Sequence, residues 1–152
     1  MSKAKLAAIG LTAAVGLVAS FEGLRQYVYP DAVGIPTVCY GHTGPDVKYG
    51  TLKTRQECQN LLEADLWAAY DGMRYCTNVR LTEGERIAYT SFVFNVGGRA
   101  YCQSSLVRKL NAGDRVGACH ELSKWIYAKR RPLPGLVSRR AEELRYCLRD
   151  LK

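Results

Sequence analysis

The sequence is poor in metal ligands and has no long run of like charge. It contains two histidines, His42 and His120, and no Cys-x-x-Cys pair, which disfavours a zinc site. No other metal and no organic cofactor is expected either. The densest basic cluster is Lys129-Arg130-Arg131, which is too short for a basic tail. No nucleic-acid-binding motif occurs, which argues against nucleic acid as a partner. Linkers and repeats are also absent, so the 152 residues predict one domain.

Cysteine and positive charge are abundant by contrast. The six cysteines, an even number at wide spacing, are typical of three disulfides in an oxidising compartment, and the alternative is six free thiols in the core. The net charge of +8 indicates a polyanionic partner such as nucleic acid, an anionic membrane or an anionic cell wall, or simply a generously charged surface. The favoured disulfides join cysteines on elements that are neighbours in the predicted order: Cys39–Cys58, Cys76–Cys102 and Cys119–Cys147.

The N-terminus carries an uncharged apolar stretch. Residues 6–21 contain no charged side chain and follow Lys3 and Lys5, a pattern typical of an export signal. The stretch is slightly shorter than a comfortable membrane span of about 20 residues. Three interpretations are open: a cleaved signal peptide, a buried N-terminal helix, or a weak, releasable membrane anchor. Cleavage near Ala19 is disfavoured because it leaves Glu22 almost at the new N-terminus, without the helix expected to position it.

Hydrophobic periodicity and helix signals predict a mostly helical α+β protein. Residues 26–52, rich in Gly, Pro, Val, Tyr and Thr, are predicted to form short strands and turns. Capping boxes at Thr54–Glu57 and Thr82–Glu85 begin two helices, the second of which ends at Gly97-Gly98. Further helices are predicted over Leu6 to about Gly23, Ser104–Leu110, Asp114–Ala128 and Leu136–Leu151. The expected architecture is a small sheet-bearing N-terminal lobe and a larger helical lobe around a substrate cleft.

Three side chains within a short segment suggest a chemistry. Glu22 lies at the end of the apolar stretch, Asp31 follows a turn-forming Pro30, and Thr37 lies in a β-branched segment. Two carboxylates in different environments, together with a hydroxyl that orients water, are the groups that glycosidic-bond hydrolysis needs. Each residue also has a simpler explanation: an exposed helix-end glutamate, a turn aspartate and an ordinary strand threonine.

This segment resembles the active-site segment of phage T4-type lysozymes. The shared pattern is Glu22, eight residues, Asp31, five residues and Thr37, followed by Gly41-His42-Thr43. The resemblance runs from about Phe21 to the C-terminus and implies a lysozyme-like, two-lobe fold. Further segments that resemble elements of the same family are Ser91–Gly97, and Trp125–Ala128 followed by Gly135–Arg140.

The resemblance implies a role for each residue of the segment. Glu22 is the expected general acid. It must keep its proton near neutral pH, which apolar neighbours such as Phe21 and Val18 favour by desolvating the charged form. Asp31 is expected to stay ionised and either to orient and activate water or to stabilise positive charge that develops on the sugar ring. Thr37 is expected to hold the attacking water by its hydroxyl. The resemblance favours inversion of configuration at the cleaved carbon.

Other residues are expected to support this site. His42 is expected to form structural hydrogen bonds, although a Cys39–His42 nucleophile pair is conceivable because some wall amidases and peptidases use Cys and His. Asn95 is expected either to cap its helix or to contact a saccharide. Arg139 or Arg140 is expected to pair with the general acid.

The implied activity is that of a phage endolysin. Such a muramidase cleaves the β-1,4 bond between N-acetylmuramic acid and N-acetylglucosamine in bacterial peptidoglycan and so lyses the host. Some endolysins begin with a signal-anchor-release segment, which tethers the enzyme to the inner membrane and later leaves it. Residues 1–20 are interpreted as such a segment and residues 21–152 as the catalytic domain, acting as a monomer in the host periplasm. Residues 1–38 contain no cysteine, which excludes the thiol switch that some relatives carry there.

Several alternatives compete with this interpretation. For localisation, the other option is a cytoplasmic enzyme with holin-dependent release. The enzymatic rivals are a chitinase and a wall amidase, which differ from a muramidase in the bond that they cleave. The non-enzymatic rival is a basic, membrane-tethered module that binds cell wall without cutting it. This last rival leaves the pattern of Glu22, Asp31 and Thr37 unexplained.

Overall fold

The computed structural model describes residues 3–151, which form two compact units, one ending at Trp67 and the other beginning at Ala68. Within this range the protein is mostly helical with small antiparallel sheets, which confirms the predicted α+β class. The helices are α1 (Lys3–Ala8), α2 (Thr12–Glu22), α3 (Arg55–Tyr75), α4 (Glu83–Val96), α5 (Gly98–Cys102), α6 (Ser105–Asn111), α7 (Arg115–Glu121), a 3-10 helix (Leu122–Lys124) and α8 (Pro134–Arg149). The strands are β1 (Arg25–Pro30), β2 (Pro36–Cys39), β3 (Tyr127–Ala128) and β4 (Arg131–Pro132).

The prediction of a single helix from Leu6 to Gly23 is wrong, because the helix is interrupted at Gly10. Gly10 adopts a left-handed backbone with φ 71°. The Leu11 N–H donates to the Leu6 carbonyl at 2.8 Å and the Gly10 N–H to the Ala7 carbonyl at 3.0 Å, the hydrogen-bond pair of a Schellman helix end. Leu6 and Leu11 are both buried, which matches the apolar contact that accompanies this motif. No helix within residues 3–151 combines the length and apolarity needed to cross a membrane.

An antiparallel hairpin of β1 and β2 carries most of the predicted site segment. Tyr29 pairs with Thr37 and Pro30 with Pro36, and the register is irregular between Arg25 and Tyr29. The hairpin confirms that the region after α2 forms short strands joined by a turn. Its turn, residues 31–35, begins with Asp31, and Thr37 follows the turn in β2.

The end of β2 is fastened to the first turns of α3. Cys39 and Cys58 form a disulfide, and both are buried together with Val38 in an apolar cluster. The predicted capping box opens α3: the Glu57 N–H donates to Thr54 Oγ1 at 3.0 Å, and the Thr54 N–H donates to Glu57 Oε1 at 3.1 Å. The hairpin and α3 are thereby held in a fixed relation.

Helix α4 lies in the core of the second unit and packs against α8. Its predicted capping box is confirmed, because the Glu85 N–H donates to Thr82 Oγ1 and the Thr82 N–H donates to Glu85 Oε1. Phe92 of α4 meets Trp125 edge-on, with ring centroids 5.2 Å apart. The helix ends before Gly97, as predicted, but the short α5 that follows directly was not anticipated by the sequence pattern.

The helix predicted over Asp114–Ala128 is wrong in its second half. α7 ends at Glu121, a 3-10 turn follows, and the chain then enters β3. The Trp125 carbonyl accepts a hydrogen bond from Arg140 Nε at 2.9 Å, so a distant side chain satisfies it instead of a helical N–H. α6 and α8, by contrast, lie within two residues of their predicted spans.

Disulfides link all six cysteines. The pairs are Cys39–Cys58, Cys76–Cys102 and Cys119–Cys147, which confirms the pairing favoured by element order. The alternative of six free core thiols is therefore wrong.

Candidate active site

Glu22 is the last residue of α2, and Gly23 ends that helix with φ 71°. Its carboxyl lies against the backbone of Gly41, in the turn that follows β2. A Cβ atom at position 41 would lie 2.8 Å from Glu22 Oε2, and Gly41 itself has φ 74°. Glycine accepts both the close approach and the left-handed backbone. The glycine of the Gly41-His42-Thr43 element is thus explained by its contact with the predicted general acid.

Replacing Gly41 with alanine is expected to lower hydrolytic activity by about tenfold or more, because the added methyl group displaces the Glu22 carboxyl and small misplacements of catalytic groups are costly. Gly50→Ala is the matched control: Gly50 has φ 85°, so it carries similar backbone strain, but an added Cβ there meets nothing within 4 Å. Initial rates on dye-labelled peptidoglycan, compared with melting temperatures, separate the two effects. Equal activity losses in the two variants would contradict this role of Gly41.

Asp31 is held by the turn of the hairpin. Its Oδ1 accepts hydrogen bonds from the Val33 N–H and the Ile35 N–H, both at 2.9 Å. Within residues 3–151 no group donates a hydrogen bond to the other oxygen, Oδ2. The residue therefore performs the turn function that its position after Pro30 suggested, and it also keeps one carboxylate oxygen open to solvent or ligand.

Thr37 lies in β2 and is 4% exposed. Its hydroxyl donates to the Ile35 carbonyl at 2.8 Å, so its proton is committed and its oxygen can accept a hydrogen bond from another group. Ile35 thus bonds Asp31 through its N–H and Thr37 through its carbonyl. The backbone of one residue orients both side chains.

His42 links the turn after β2 to helix α3. Its Nδ1 lies 2.8 Å from Asp65 Oδ2 and its Nε2 lies 3.0 Å from Asp46 Oδ2. Burial lowers the pKa of His42, but the two carboxylates outweigh that effect and the net shift is upward. Burial raises the pKa of Asp65 more than the bond to His42 lowers it, whereas that bond lowers the pKa of the exposed Asp46. These contacts are the structural hydrogen bonds expected of His42.

The His42 bonds are expected to contribute about 1–3 kcal/mol to the free energy of unfolding, in a pH-dependent way. Because the folded-state pKa of His42 is raised above 6.5, this stability is fully present below pH 6.5 and is lost as the pH rises through the folded-state value. The part that needs ionised Asp46 is lost below pH 3.8 as the acid protonates. Urea unfolding of His42→Gln between pH 3 and 9 tests this, with exposed His120→Gln as the control. A difference from wild type that stays constant across pH would contradict it.

A Cys39–His42 nucleophile pair is excluded by the geometry. The sulfur of Cys39 is bonded to Cys58, and His42 is bonded to two aspartates. The thiolate nucleophile that a cysteine hydrolase needs is therefore absent at this position.

The arginines expected to support the site belong to a buried network centred on Glu143. This carboxylate is 0% exposed and accepts from Ser91 Oγ at 2.6 Å, Arg140 Nη1 at 2.7 Å and Arg139 Nε at 3.4 Å. Arg139 also donates to the Ser91 carbonyl, and Arg140 donates to Asn95 Oδ1. Burial lowers the pKa of Arg140, and the Glu143 charge opposes that shift.

Several expectations on these residues stay predictions. Pairing of Arg139 or Arg140 with Glu22 is one, and contact of Asn95 with a saccharide is another. The other role expected of Asn95 is to cap its helix, and in the structure the residue at the C-terminal cap of that helix is Gly97.

The sequence reasoning missed the acids that hold the supporting residues. Glu143 lies three and four residues after the two arginines on a predicted helix, a spacing that signals ion pairs, so it could have been found. Asp65 lies in the middle of α3 with no local signal that connects it to His42.

A mostly helical α+β fold with a glutamate at a helix end and an aspartate and a threonine on the following hairpin defines a lysozyme-type glycoside hydrolase. The chain belongs to the phage lysozyme family, whose model matches residues 19–143.

Individual relatives agree with this assignment. The chain is 43% identical over 127 residues to a SAR-endolysin of Bacteriophage PS119, covering 84% of this chain and 76% of that protein. It is 37% identical over 123 residues to a SAR-endolysin of Escherichia phage Mu, covering 81% of this chain and 71% of that protein. The muramidase domain of SpmX from Asticaccaulis excentricus superposes with a TM-score of 0.84 at 32% identity, covering 90% and 95% of the two chains.

Proposed function

We propose that this protein is an endolysin that hydrolyses the β-1,4 bond between N-acetylmuramic acid and N-acetylglucosamine in peptidoglycan. The observation that carries the proposal is the arrangement within the first unit. Glu22 is set against Gly41, while Asp31 and Thr37 are oriented together by Ile35. Relatives named endolysin and muramidase support the same substrate class.

Glu22 acts as the general acid in this proposal. Its proton passes to the glycosidic oxygen as the bond to the anomeric carbon breaks, and the leaving sugar departs as a neutral alcohol. Gly41 keeps the space that the carboxyl needs. Positive charge that develops on the sugar ring is stabilised by the ionised Asp31.

Asp31 and Thr37 hold the attacking water. The Thr37 hydroxyl already donates to Ile35, so it accepts one hydrogen of the water, and Asp31 Oδ2 accepts the other. A water held by both hydrogens presents an oxygen lone pair to the anomeric carbon. Asp31 takes up the proton that is released when the new bond forms, and the configuration at that carbon inverts.

The anomer formed first distinguishes this mechanism from its rivals. Proton NMR of a digest of purified peptidoglycan glycan, recorded before mutarotation, is expected to show the α-anomer at the new reducing end. A β-anomer as first product would indicate a retaining mechanism and would remove the water-holding role of Asp31 and Thr37.

We further propose that the N-terminal segment first tethers the enzyme to the inner membrane and then joins the folded unit in the periplasm. The apolar residues Leu6, Leu11, Ala14 and Val18 are buried in the folded state, so the same side chains that suit a membrane also suit the released enzyme. The glycines, alanines and threonine elsewhere in the segment add little transfer free energy, which favours a marginal anchor. Relatives named SAR-endolysin support this.

Raising the apolarity of the segment is expected to block release. Thr12 and Gly16 are exposed on α2, so Thr12→Leu with Gly16→Leu leaves the buried face unchanged while favouring the bilayer. Cell fractionation before lysis is expected to find the double variant in the membrane fraction and lysis to be delayed. The paired control is Thr12→Ser with Gly16→Ala. Unchanged fractionation and lysis timing in the leucine variant would contradict the tether.

A further inference from the structure

A pocket of about 330 Å³ lies in the second unit, at the end of α3 and the segment that leads into α4. Three arginines line it, Arg74, Arg80 and Arg86, and no acidic side chain among the described residues does so. Its accessible apolar lining includes Val79 and Leu81. None of these residues belongs to the bond-cleaving machinery derived above.

Contacts with neighbouring groups help to position each of the three arginines. The Arg74 guanidinium lies 5.5 Å from the Tyr70 ring centroid, and Arg86 Nη1 donates to the Leu81 carbonyl at 2.8 Å. The Arg80 carbonyl accepts a hydrogen bond from Arg115 Nη2 at 2.9 Å, which holds the backbone at that position. No ion pair to Arg74 or Arg80 occurs within residues 3–151. Arg74 and Arg80 are therefore positively charged groups of the pocket that no carboxylate within residues 3–151 pairs with, whereas Arg86 interacts with the charge of Asp150.

The arginines and apolar residues of this lining favour a ligand that is a small anion with apolar groups. Guanidinium groups bind carboxylates through paired, charge-assisted hydrogen bonds. The volume lies at the lower end of the range for ligand pockets, about 300–1,000 Å³, so it suits a short segment rather than a folded partner. Val79 and Leu81, which are half-buried, provide surface for methyl or methylene groups. Stem peptides of peptidoglycan combine closely spaced carboxylates with alanine methyl groups.

We propose that this pocket binds the carboxylates of a peptidoglycan stem peptide, with Arg74 and Arg80 as the main contacts. The proposal rests on peptidoglycan as the substrate and adds a second point of attachment to the wall. Stem peptides project from many positions of the glycan mesh, so the peptide bound here need not belong to the disaccharide that is cleaved.

Calorimetric titration of the full chain with the free stem tripeptide, L-alanyl-γ-D-glutamyl-meso-diaminopimelate, tests this. Arg74→Gln with Arg80→Gln is expected to weaken binding by about tenfold or more. Arg99→Gln with Arg108→Gln is the matched control, since both arginines are exposed on α5 and α6 and the charge change is the same. The control is expected to bind within about twofold of wild type. The tripeptide with amidated carboxyls is expected not to bind.

Any other outcome would contradict the proposal that the pocket binds a stem peptide. No binding to wild type, or equal weakening in the control variant, would mean that the arginines are an ordinary charged surface. Binding of phosphatidylglycerol vesicles that needs Arg74 and Arg80, without tripeptide binding, would assign the pocket to a lipid headgroup. Hydrolysis of glycan strands stripped of peptide is measured in parallel. It reports on the proposed function separately, because it needs Glu22 and not the pocket.

Discussion

Replacing Glu22 with glutamine is expected to lower the rate of peptidoglycan hydrolysis by about 10²–10⁴-fold, the usual contribution of a general acid. Glutamine has nearly the same shape but no proton to transfer at neutral pH. The side chain lies at the C-terminal end of α2 beside Gly41, so its loss removes the acid without removing core packing. Release of dye-labelled fragments measures the rate, and pull-down on insoluble wall measures binding.

Glu142→Gln is the matched control for this experiment. Glu142 is exposed on α8 and pairs with Arg145, so the same chemical change there is expected to leave the rate within about twofold of wild type. The Glu22 variant is expected to bind wall as well as wild type and to melt within a few degrees of it. A Glu22→Gln protein that remains active while folded would contradict the general-acid role.

The second large effect is expected at Glu143, where glutamine should lower the free energy of unfolding by about 3–5 kcal/mol. Glu143 is fully buried and accepts hydrogen bonds from Arg139, Arg140 and Ser91. An amide cannot balance the charge of the arginines, and its NH₂ group is directed at donors. The loss of one carboxylate therefore leaves buried cations without their acid. Urea unfolding with the disulfides intact measures the change.

Glu142→Gln again provides the comparison, at the adjacent position on the same helix. Its exposed pair with Arg145 is worth about 1 kcal/mol or less. Stability changes of similar size in the Glu142 and Glu143 variants would contradict the view that the buried network holds α8 to α4.

The sequence predicted the parts of the fold whose signals are local. Both capping boxes, at Thr54 and Thr82, depend on residues three apart, and both occur in the structure. The break at Gly10 was missed although its signal was also local, because the apolar pattern continues on both sides of it. The end of α7 at Glu121 was also missed, and the hydrogen bond from Arg140 to the Trp125 carbonyl beyond it joins residues that no local pattern connects.

The same distinction between local signals and contacts of distant residues applies to the candidate site. Glu22, Asp31 and Thr37 lie within one short segment, so a motif could identify them, and their catalytic roles stay predictions that the experiments above address. The contact between Glu22 and Gly41 depends on the folded hairpin, so the order of residues alone did not predict it. The partner of His42 on α3 is a tertiary contact of the same kind. The candidate catalytic residues could thus be predicted from a short motif, whereas the residues that position them or their neighbours, such as Asp65, could not.

The measurement that tests the central claim most directly is mass spectrometry of purified peptidoglycan digested by wild type and by Glu22→Gln. The account predicts fragments with new reducing N-acetylmuramic acid ends from wild type and none from the variant. Anhydro ends would indicate a lytic transglycosylase, and freed peptides with intact glycan would indicate an amidase. Binding without any cleavage by wild type would contradict the enzyme assignment and leave a wall-binding module.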